Sequence, residues 1–178
     1  SLPEIAAKSQ CSCSLAPEAT AQHSSPVSPP PYMVGMVEIE LDRETGVVEV
    51  LDYAAVVDCG IPINPALARI QVEGGIVQGI GHTLMEDVTR TPKGAIRESS
   101  LFTYRLPTRL DTGRINVEFE HSYEPTGPFG AKSIGEIVIN TPGPALVQAI
   151  YRATGVWHRE LPILPEHILL AKPEDQES

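Results

Sequence analysis

The sequence has few basic residues, few cysteines and no long apolar run, and each of these absences excludes a class of protein. Thirteen Lys and Arg residues are outnumbered by 23 Asp and Glu residues, which gives a formal net charge of −10 at pH 7. Because an acidic chain repels phosphate groups, we do not expect it to bind nucleic acid or an anionic membrane. Its apolar stretches, near residues 53–57 and 163–170, are well short of the roughly 20 residues that a membrane-spanning helix needs.

Cysteine is scarce, and the three thiols are Cys11, Cys13 and Cys59. Three cysteines cannot all pair, and the one-residue spacing of Cys11 and Cys13 is too tight for an ordinary disulfide. A metal site there would need two further ligands, of which His23 is the only obvious one, so no metal-ligating residue is predicted. We expect a reduced, cytoplasmic protein whose N-terminus lacks the features of a signal peptide.

Motifs for common nucleotide and hydrolytic chemistry are also absent. The sequence has no Walker loop, no His-Glu-x-x-His and no Gly-x-Ser-x-Gly. Gly79-Ile80-Gly81 is followed by Leu84 where a dinucleotide-binding fingerprint requires glycine. A composition of 42% hydrophobic and 20% charged residues is instead typical of a globular domain with one core.

The chain divides into three parts by composition. Residues 1–31 combine a short N-terminal helix with the Pro-rich run of residues 25–31, which is predicted to be extended and to act as a linker or as a strap on a partner surface. Residues 32–172 carry the patterns of a packed domain, and residues 173–178 form a polar tail.

The patterns in the packed part predict an α+β fold, with a β-hairpin or mixed sheet and helices packed over one face. Apolar residues alternate with acidic ones around Val37-Glu38-Ile39-Glu40-Leu41, which is typical of a half-buried strand. A second strand is predicted over residues 47–58, and its apolar end should be buried on both faces. Further strands are predicted over residues 101–106 and 115–120.

The first predicted core helix, residues 66–87, contains Gly74, Gly75, Gly79 and Gly81. Each glycine inside a helix costs about 0.5–1 kcal/mol relative to alanine. Their presence therefore predicts close approach, either by another helix or by a ligand.

Two more helices are predicted towards the end of the chain. Thr141 should cap the first of them, with Pro142 in its first turn and Gly155 as its left-handed C-cap. The second should cover residues 165–171.

Glu136 follows a loop dense in small residues, Gly130-Ala131-Lys132-Ser133-Ile134-Gly135. The backbone N–H groups of such a loop can face a ligand without obstruction by side chains. In a water-poor pocket the pKa of this carboxyl would be raised, and it could act as a general base near neutral pH. The alternative is that Glu136 pairs with Lys132 or stabilises the next helix, and the residues alone leave both possibilities open.

A series of short sequence blocks follows in a fixed order along the chain, between about Glu18 and Leu170. They are Ser28-Pro29-Pro30-Pro31-Tyr32, Val37-Glu38-Ile39-Glu40-Leu41-Asp42, Val57-Asp58-Cys59-Gly60, Ile63-Asn64-Pro65, Gln71-Val72-Glu73-Gly74-Gly75-Ile76-Val77-Gln78-Gly79-Ile80-Gly81, Met85-Glu86, Tyr104-Arg105-Leu106-Pro107 and Gly130-Ala131-Lys132-Ser133-Ile134-Gly135-Glu136. This order resembles the molybdenum hydroxylase family, which comprises the xanthine dehydrogenases, the aldehyde oxidases and their bacterial relatives. The resemblance is to the C-terminal part of the molybdopterin-binding catalytic subunit.

The resemblance implies roles for individual residues. It makes Glu136 the catalytic base in the hydroxylation of an electron-poor carbon with oxygen from water. It places Gln71 against the pterin, with Gly74 and Gly75 allowing close approach, and it adds Gln78, Lys132 and Ser133 to the cofactor-binding set. His82 is expected to be a packed or supporting residue, Glu73 and Glu86 are expected to be structural, and Cys59 should be a small core residue.

The resemblance also implies that the chain cannot work alone. The cofactor would be molybdenum-molybdopterin in a site completed by the remainder of the subunit, with iron–sulfur clusters and FAD on other subunits or domains. The substrate would be a small aromatic heterocycle or an aldehyde, and the segment Tyr123–Gly130 favours a purine such as xanthine or hypoxanthine. The chain would then be a fragment or a natural split subunit. Two alternatives are a non-catalytic molybdopterin-binding or assembly module, and an unrelated hydrolase that uses Glu136 with Glu73.

Overall fold

The computed structural model describes residues 1–11, 18–22 and 24–171. Predictions for Cys13, His23 and the polar tail lie outside these residues. The elements are α1 (Leu2–Cys11), β1 (Tyr32–Leu41), β2 (Val48–Asp58), α2 (Pro65–Leu84), β3 (Arg114–Phe119), a 3-10 turn (Pro128–Gly130), α3 (Ile137–Asn140), α4 (Pro142–Thr154) and α5 (Pro165–Leu170). In the described parts of the chain, no helix is both long and apolar enough to cross a membrane.

The predicted mixed sheet is confirmed, with three strands in the order β1-β2-β3. β1 and β2 form the expected antiparallel hairpin, whose register shifts between Glu38 and Ile39. β3 pairs in parallel with β2, starting opposite Asp52 and ending opposite Val57. A parallel neighbour requires a long crossover, and α2 lies within that crossover.

Helices α2, α3 and α4 cover one face of the sheet, as predicted. The covered face of β2 carries Tyr53, Ala55 and Val57, all of which are buried. They pack with two buried groups of side chains, Val72, Ile76 and Ile80 from α2, and Val138 and Leu146 from α3 and α4. Cys59 is 3% exposed and belongs to this core, as expected.

The other face of the sheet is uncovered in the described residues, which corrects one prediction. The end of β2 was expected to be buried on both faces, but Val56 is 45% exposed. Val56 pairs with Val34, which is also exposed. The apolar run reflects a strand in the middle of the sheet, and nothing within the described chain packs on its outer side.

The glycines of α2 are explained in part by close packing of helices. The helix starts at the cap residue Asn64, whose side chain accepts a hydrogen bond from the Leu67 N–H at 3.1 Å. A Cβ added at Gly75 would lie 2.1 Å from Val138 Cγ2, and one added at Gly79 would lie 2.8 Å from Pro142. These two glycines therefore let α3 and the start of α4 approach α2. Gly74 has no such neighbour.

One local prediction was wrong, and another is confirmed in position only. Residues 101–106 form turns instead of a strand, because the Thr103 and Tyr104 N–H groups both donate to the Ser100 carbonyl and close the backbone locally. Thr141 is the N-cap residue of α4, but its hydroxyl makes no capping hydrogen bond and instead accepts one from Tyr53. The left-handed cap at Gly155, with φ of 79°, is confirmed.

Candidate active site

A cleft of about 660 Å³ lies between α2 and the segment that leads into α3. Its walls come from one face of α2 and from the residues around Glu136. The lining residues are Leu67, Ile70, Gln71, Gly74, Gly75, Gln78, Gly135, Glu136, Val138 and Ile139. The cleft therefore brings together two of the sequence blocks that carry the resemblance, the block that starts at Gln71 and the block that ends at Glu136.

Helical spacing explains which α2 residues line the cleft. Leu67, Gln71, Gly74 and Gln78 follow one another at intervals of four, three and four, so they share one face of the helix. The opposite face carries the buried Val72 and its neighbours in the core. Both glutamine side chains are exposed and lie along the cleft, where their carboxamides can donate and accept hydrogen bonds.

Gln71 also connects the helix to the loop across the cleft. Its Nε2 donates a hydrogen bond of 3.3 Å to the carbonyl oxygen of Gly135, the residue before Glu136. This contact joins residues that are distant in sequence. It holds the loop immediately before Glu136, the candidate base.

Glu136 lies at the N-cap position of α3 and makes no side-chain capping hydrogen bond there. The pairing with Lys132 considered as a structural alternative is not formed, because the ammonium of Lys132 binds Asp58 instead. The Glu136 side chain is exposed on the cleft. The described residues therefore do not supply the water-poor surroundings that were expected for a base.

Bare backbone on both sides of the cleft fits a bulky planar group. A Cβ added at Gly74 or at Gly135 would meet no heavy atom within 4 Å, so neither glycine is needed for packing inside this chain. Gly74 on the helix and Gly135 on the loop leave peptide groups unobstructed, with the carboxamides of Gln71 and Gln78 nearby. A pterin has the flat shape and the hydrogen-bonding edges that such a surface accommodates. Among the described residues, no group of three or more His, Cys, Asp or Glu side chains is arranged to hold a metal ion.

The other two predicted cofactor residues lie elsewhere. Lys132 lines a neighbouring cleft of about 450 Å³, which shares Leu67, Gln71 and Gly135 with the first. Its side chain is 8% exposed and is paired with Asp58, so its ammonium does not point into either cleft as a free charge. Ser133 is exposed and lines neither cleft.

Asp58 is a structural residue of this region whose role the sequence patterns did not indicate. It accepts hydrogen bonds from the Lys132 ammonium, the Ser122 hydroxyl and the Gly60 N–H. Burial alone would raise the pKa of Asp58, but these hydrogen bonds outweigh it and hold the pKa below its usual value. An acidic residue at the end of a mostly apolar strand was the available signal in the sequence.

Three residues expected to be structural have different environments. Glu86 accepts a hydrogen bond from the Tyr104 hydroxyl, as a packing role requires. Glu73 is half-buried on α2 and does not line the cleft. His82 is exposed, which corrects the expectation that it would be packed within this chain.

Comparison with known proteins identifies the family. Residues 3–113 match the family model of the molybdopterin cofactor-binding domain. The chain is 37% identical over 142 residues to "Probable hypoxanthine oxidase XdhD" of Escherichia coli, a match that covers 79% of this chain and 15% of that protein. It is 38% identical over 141 residues to "6-hydroxypseudooxynicotine dehydrogenase complex subunit gamma" of Paenarthrobacter nicotinovorans, covering 78% of this chain and 18% of that subunit.

The fold is also found in a solved relative. The structure of quinoline 2-oxidoreductase from Pseudomonas putida 86 superposes with a TM-score of 0.72 at 34% identity, covering 77% of this chain and 18% of that one. The chain thus spans less than a fifth of the length of these proteins. With the family model covering more than half of its residues, the chain belongs to the molybdopterin cofactor-binding domain family, and its resemblance to the molybdenum hydroxylases is confirmed.

Proposed function

We propose that this chain is the C-terminal portion of the catalytic subunit of a molybdenum hydroxylase, and that Glu136 is the general base of the reaction. The observation that carries this proposal is that Glu136 and Gln71 line one cleft. The two glycines that leave backbone bare, Gly74 and Gly135, lie in the same cleft and face no packing partner.

The cleft would hold the molybdenum–molybdopterin cofactor. Gln71 and Gln78 would bind it through their carboxamides, and Gly74 would let it approach the helix backbone, whereas Gly75 also lines the cleft but packs against Val138. The loop that carries Lys132 and Ser133 would contribute through its backbone, since the Lys132 ammonium is bound by Asp58. When bound, the cofactor supplies a two-electron redox centre for the hydroxylation of carbon.

Glu136 would remove a proton during this hydroxylation, with one of its carboxylate oxygens as the acceptor. A carboxylate is an effective base only when its pKa approaches the working pH, which burial promotes. In this chain the carboxylate is exposed. The remainder of the subunit would therefore have to close the cleft and exclude water from Glu136.

The same reasoning predicts that the isolated chain is inactive. An open cleft whose other walls would come from the remainder of the subunit should bind the cofactor weakly or not at all. Expression of the 178-residue chain alone, followed by assay for molybdenum, checks this point. Stoichiometric molybdenum on the isolated chain would contradict it.

The proposed substrate is a purine, such as xanthine or hypoxanthine. The segment Tyr123–Gly130 resembles that of the bacterial xanthine dehydrogenases, and one relative is named as a hypoxanthine oxidase. Aldehydes and other aromatic heterocycles are the alternatives within the family. Turnover of the complete enzyme with hypoxanthine, quinoline and benzaldehyde would separate these classes, and preference for an aldehyde would overturn the purine proposal.

Partners and location complete the proposal. One relative is a subunit of a named complex, which supports a multi-subunit enzyme whose iron–sulfur clusters and flavin lie outside this chain. The proposed location is the cytoplasm, because the three cysteines cannot all pair in disulfides.

The experiment that tests the base is Glu136→Gln in the complete, molybdenum-loaded subunit. Amide for carboxylate preserves shape and removes the proton acceptor, so turnover per molybdenum should fall by about 10²–10⁴-fold. Glu44→Gln, in the exposed turn between β1 and β2, is the matched control and should leave turnover unchanged. Turnover of the Glu136 variant within about tenfold of wild type would contradict the proposal and favour a non-catalytic binding or assembly module.

A further inference from the structure

Asp58, the last residue of β2, accepts hydrogen bonds from three donors. The Lys132 ammonium forms an ion pair with it, the Ser122 hydroxyl donates to Oδ1, and the Gly60 N–H donates to Oδ1 at 3.1 Å. The Lys132 and Asp58 side chains are 8% and 21% exposed, so the ion pair is largely shielded from water. Shielding makes the pair strongly interdependent, because removal of either partner leaves an uncompensated charge in a poorly solvated place.

Backbone hydrogen bonds join the residues that follow Asp58 to the segment that carries Lys132. The Lys132 N–H donates to the Cys59 carbonyl at 2.7 Å, and the Ile61 N–H donates to the Gly130 carbonyl at 2.9 Å. Gly60 and Ala131 form an isolated antiparallel bridge between these contacts. The Asp58–Lys132 ion pair thus lies at the start of the loop that ends in Glu136.

The loop from Lys132 to Glu136 has few other attachments. Its far end is held by the hydrogen bond from Gln71 to the Gly135 carbonyl, and Gly135 itself packs against nothing that a Cβ would meet. Ile134 is the one side chain between Lys132 and Gly135 that packs on the core. The ion pair at one end and the Gln71 contact at the other therefore define where the candidate base can lie.

We infer that Asp58 is a positioning residue, which acts through Lys132 to place Glu136 in the cleft. The inference rests on the proposed role of Glu136 as the base. Asparagine at position 58 could still accept from Ser122 and Gly60, but it would leave the Lys132 ammonium without its counter-charge. The loop would then shift to hydrate that ammonium, and misplacement of a catalytic group by about 1 Å can cost 10²-fold in rate.

The test uses the complete, molybdenum-loaded subunit with Asp58→Asn, Lys132→Met and the double variant. Each single variant should lower kcat per molybdenum by about 10–100-fold while KM changes by less than about threefold, because the base moves and the substrate contacts do not. The double variant should be no worse than either single one, since both substitutions disable the same ion pair. Asp52→Asn is the matched control, because Asp52 lies on the same strand and pairs with Arg114 away from the loop.

Ser122→Ala is a milder variant for the case in which Asp58→Asn fails to fold or to take up molybdenum. It removes one hydrogen bond to Asp58 and keeps the ion pair, so kcat per molybdenum should fall by about two- to fivefold. An unchanged kcat in Asp58→Asn, or in Ser122→Ala if the former cannot be loaded, would overturn the inference. If kcat is unchanged in that variant while the Glu136→Gln variant is inactive, the inference fails and the proposed function stands. If the Glu136→Gln variant is active, the proposed function itself is refuted.

Discussion

The hydroxyl of Tyr53 lies 2.9 Å from Oγ1 of Thr141 and donates a hydrogen bond to it. Tyr53 is in the middle of the central strand and fully buried, and Thr141 begins α4. Burial raises the pKa of Tyr53, so the hydroxyl stays protonated and remains a donor. Gly35 on β1 leaves the space for it, because a Cβ there would lie 2.0 Å from the Tyr53 oxygen. The contact anchors the start of α4 to the sheet.

Tyr53→Phe should therefore destabilise the chain without changing its fold. The loss of one buried hydrogen bond predicts a decrease in the free energy of unfolding of about 0.5–1.5 kcal/mol. Urea unfolding followed by circular dichroism measures it. Thr141→Ser keeps a hydroxyl at the same place and is the matched control. A Tyr53→Phe variant as stable as wild type would show that the hydrogen bond contributes nothing net.

Alanine substitutions at two adjacent glycines of α2 should change the free energy of unfolding in opposite directions. Gly75→Ala would force a Cβ to within 2.1 Å of Val138 Cγ2, and such overpacking typically costs about 1–3 kcal/mol. Gly74→Ala meets nothing and should stabilise the helix by about 0.5–1 kcal/mol. Urea unfolding of the 178-residue chain compares the two variants, and equal stabilities would contradict the helix contact.

The Gly74→Ala variant also tests where the cofactor binds. In the complete subunit, Gly74→Ala should reduce molybdenum content although it stabilises the chain, because the added methyl group would occupy the surface proposed for the cofactor. Full molybdenum content in this variant would place the cofactor away from Gly74.

The stability of the chain should fall in acid, in part through Asp58. Because its hydrogen bonds hold the pKa of folded Asp58 below the usual value of an aspartate, Asp58 contributes stability at higher pH, and this contribution is lost as the pH falls through the folded pKa. Asp42, Glu98 and Glu124 also have lowered pKa values in the fold and add to the same trend.

The contribution of Asp58 can be separated from that of the other carboxyls. Unfolding free energies measured from about pH 7 down to about pH 3 should depend less on pH in Asp58→Asn than in wild type. Asp52→Asn, in which the substituted carboxyl has a more exposed partner, provides the control. Parallel pH curves for wild type and Asp58→Asn would contradict the assignment.

Much of the fold followed from local patterns. The alternation along Val37-Glu38-Ile39-Glu40-Leu41 predicted β1, and the apolar spacing after Asn64-Pro65 predicted α2 despite its glycines. These predictions succeeded because periodicity records which side of an element is buried. The strand predicted over residues 101–106 failed for a related reason: Leu101 and Phe102 are apolar, but they are exposed and have no sheet beside them.

The candidate site was predicted less completely. Sequence blocks identified Glu136 and Gln71, but the pairing of Lys132 with Asp58 depends on side chains that meet only after β2 and the later loop have come together. Gly74 and Gly75 are neighbours in sequence and both line the cleft, yet a side chain added at Gly74 would meet open space and one added at Gly75 would meet Val138. Only their directions on the folded helix distinguish the two roles.

By itself, the sequence determined the acidic character of the chain, its α+β elements, its family resemblance and the residues proposed for the chemistry, because each depends on composition, spacing or order along the chain. The tertiary structure decided that Glu136 and Gln71 share a cleft and that Lys132 forms its ion pair with Asp58 and not with Glu136. It also decided that one face of the sheet stays uncovered in the described residues. These are contacts between distant segments, and their geometry is set by the packing of α2, α3 and α4 on the sheet.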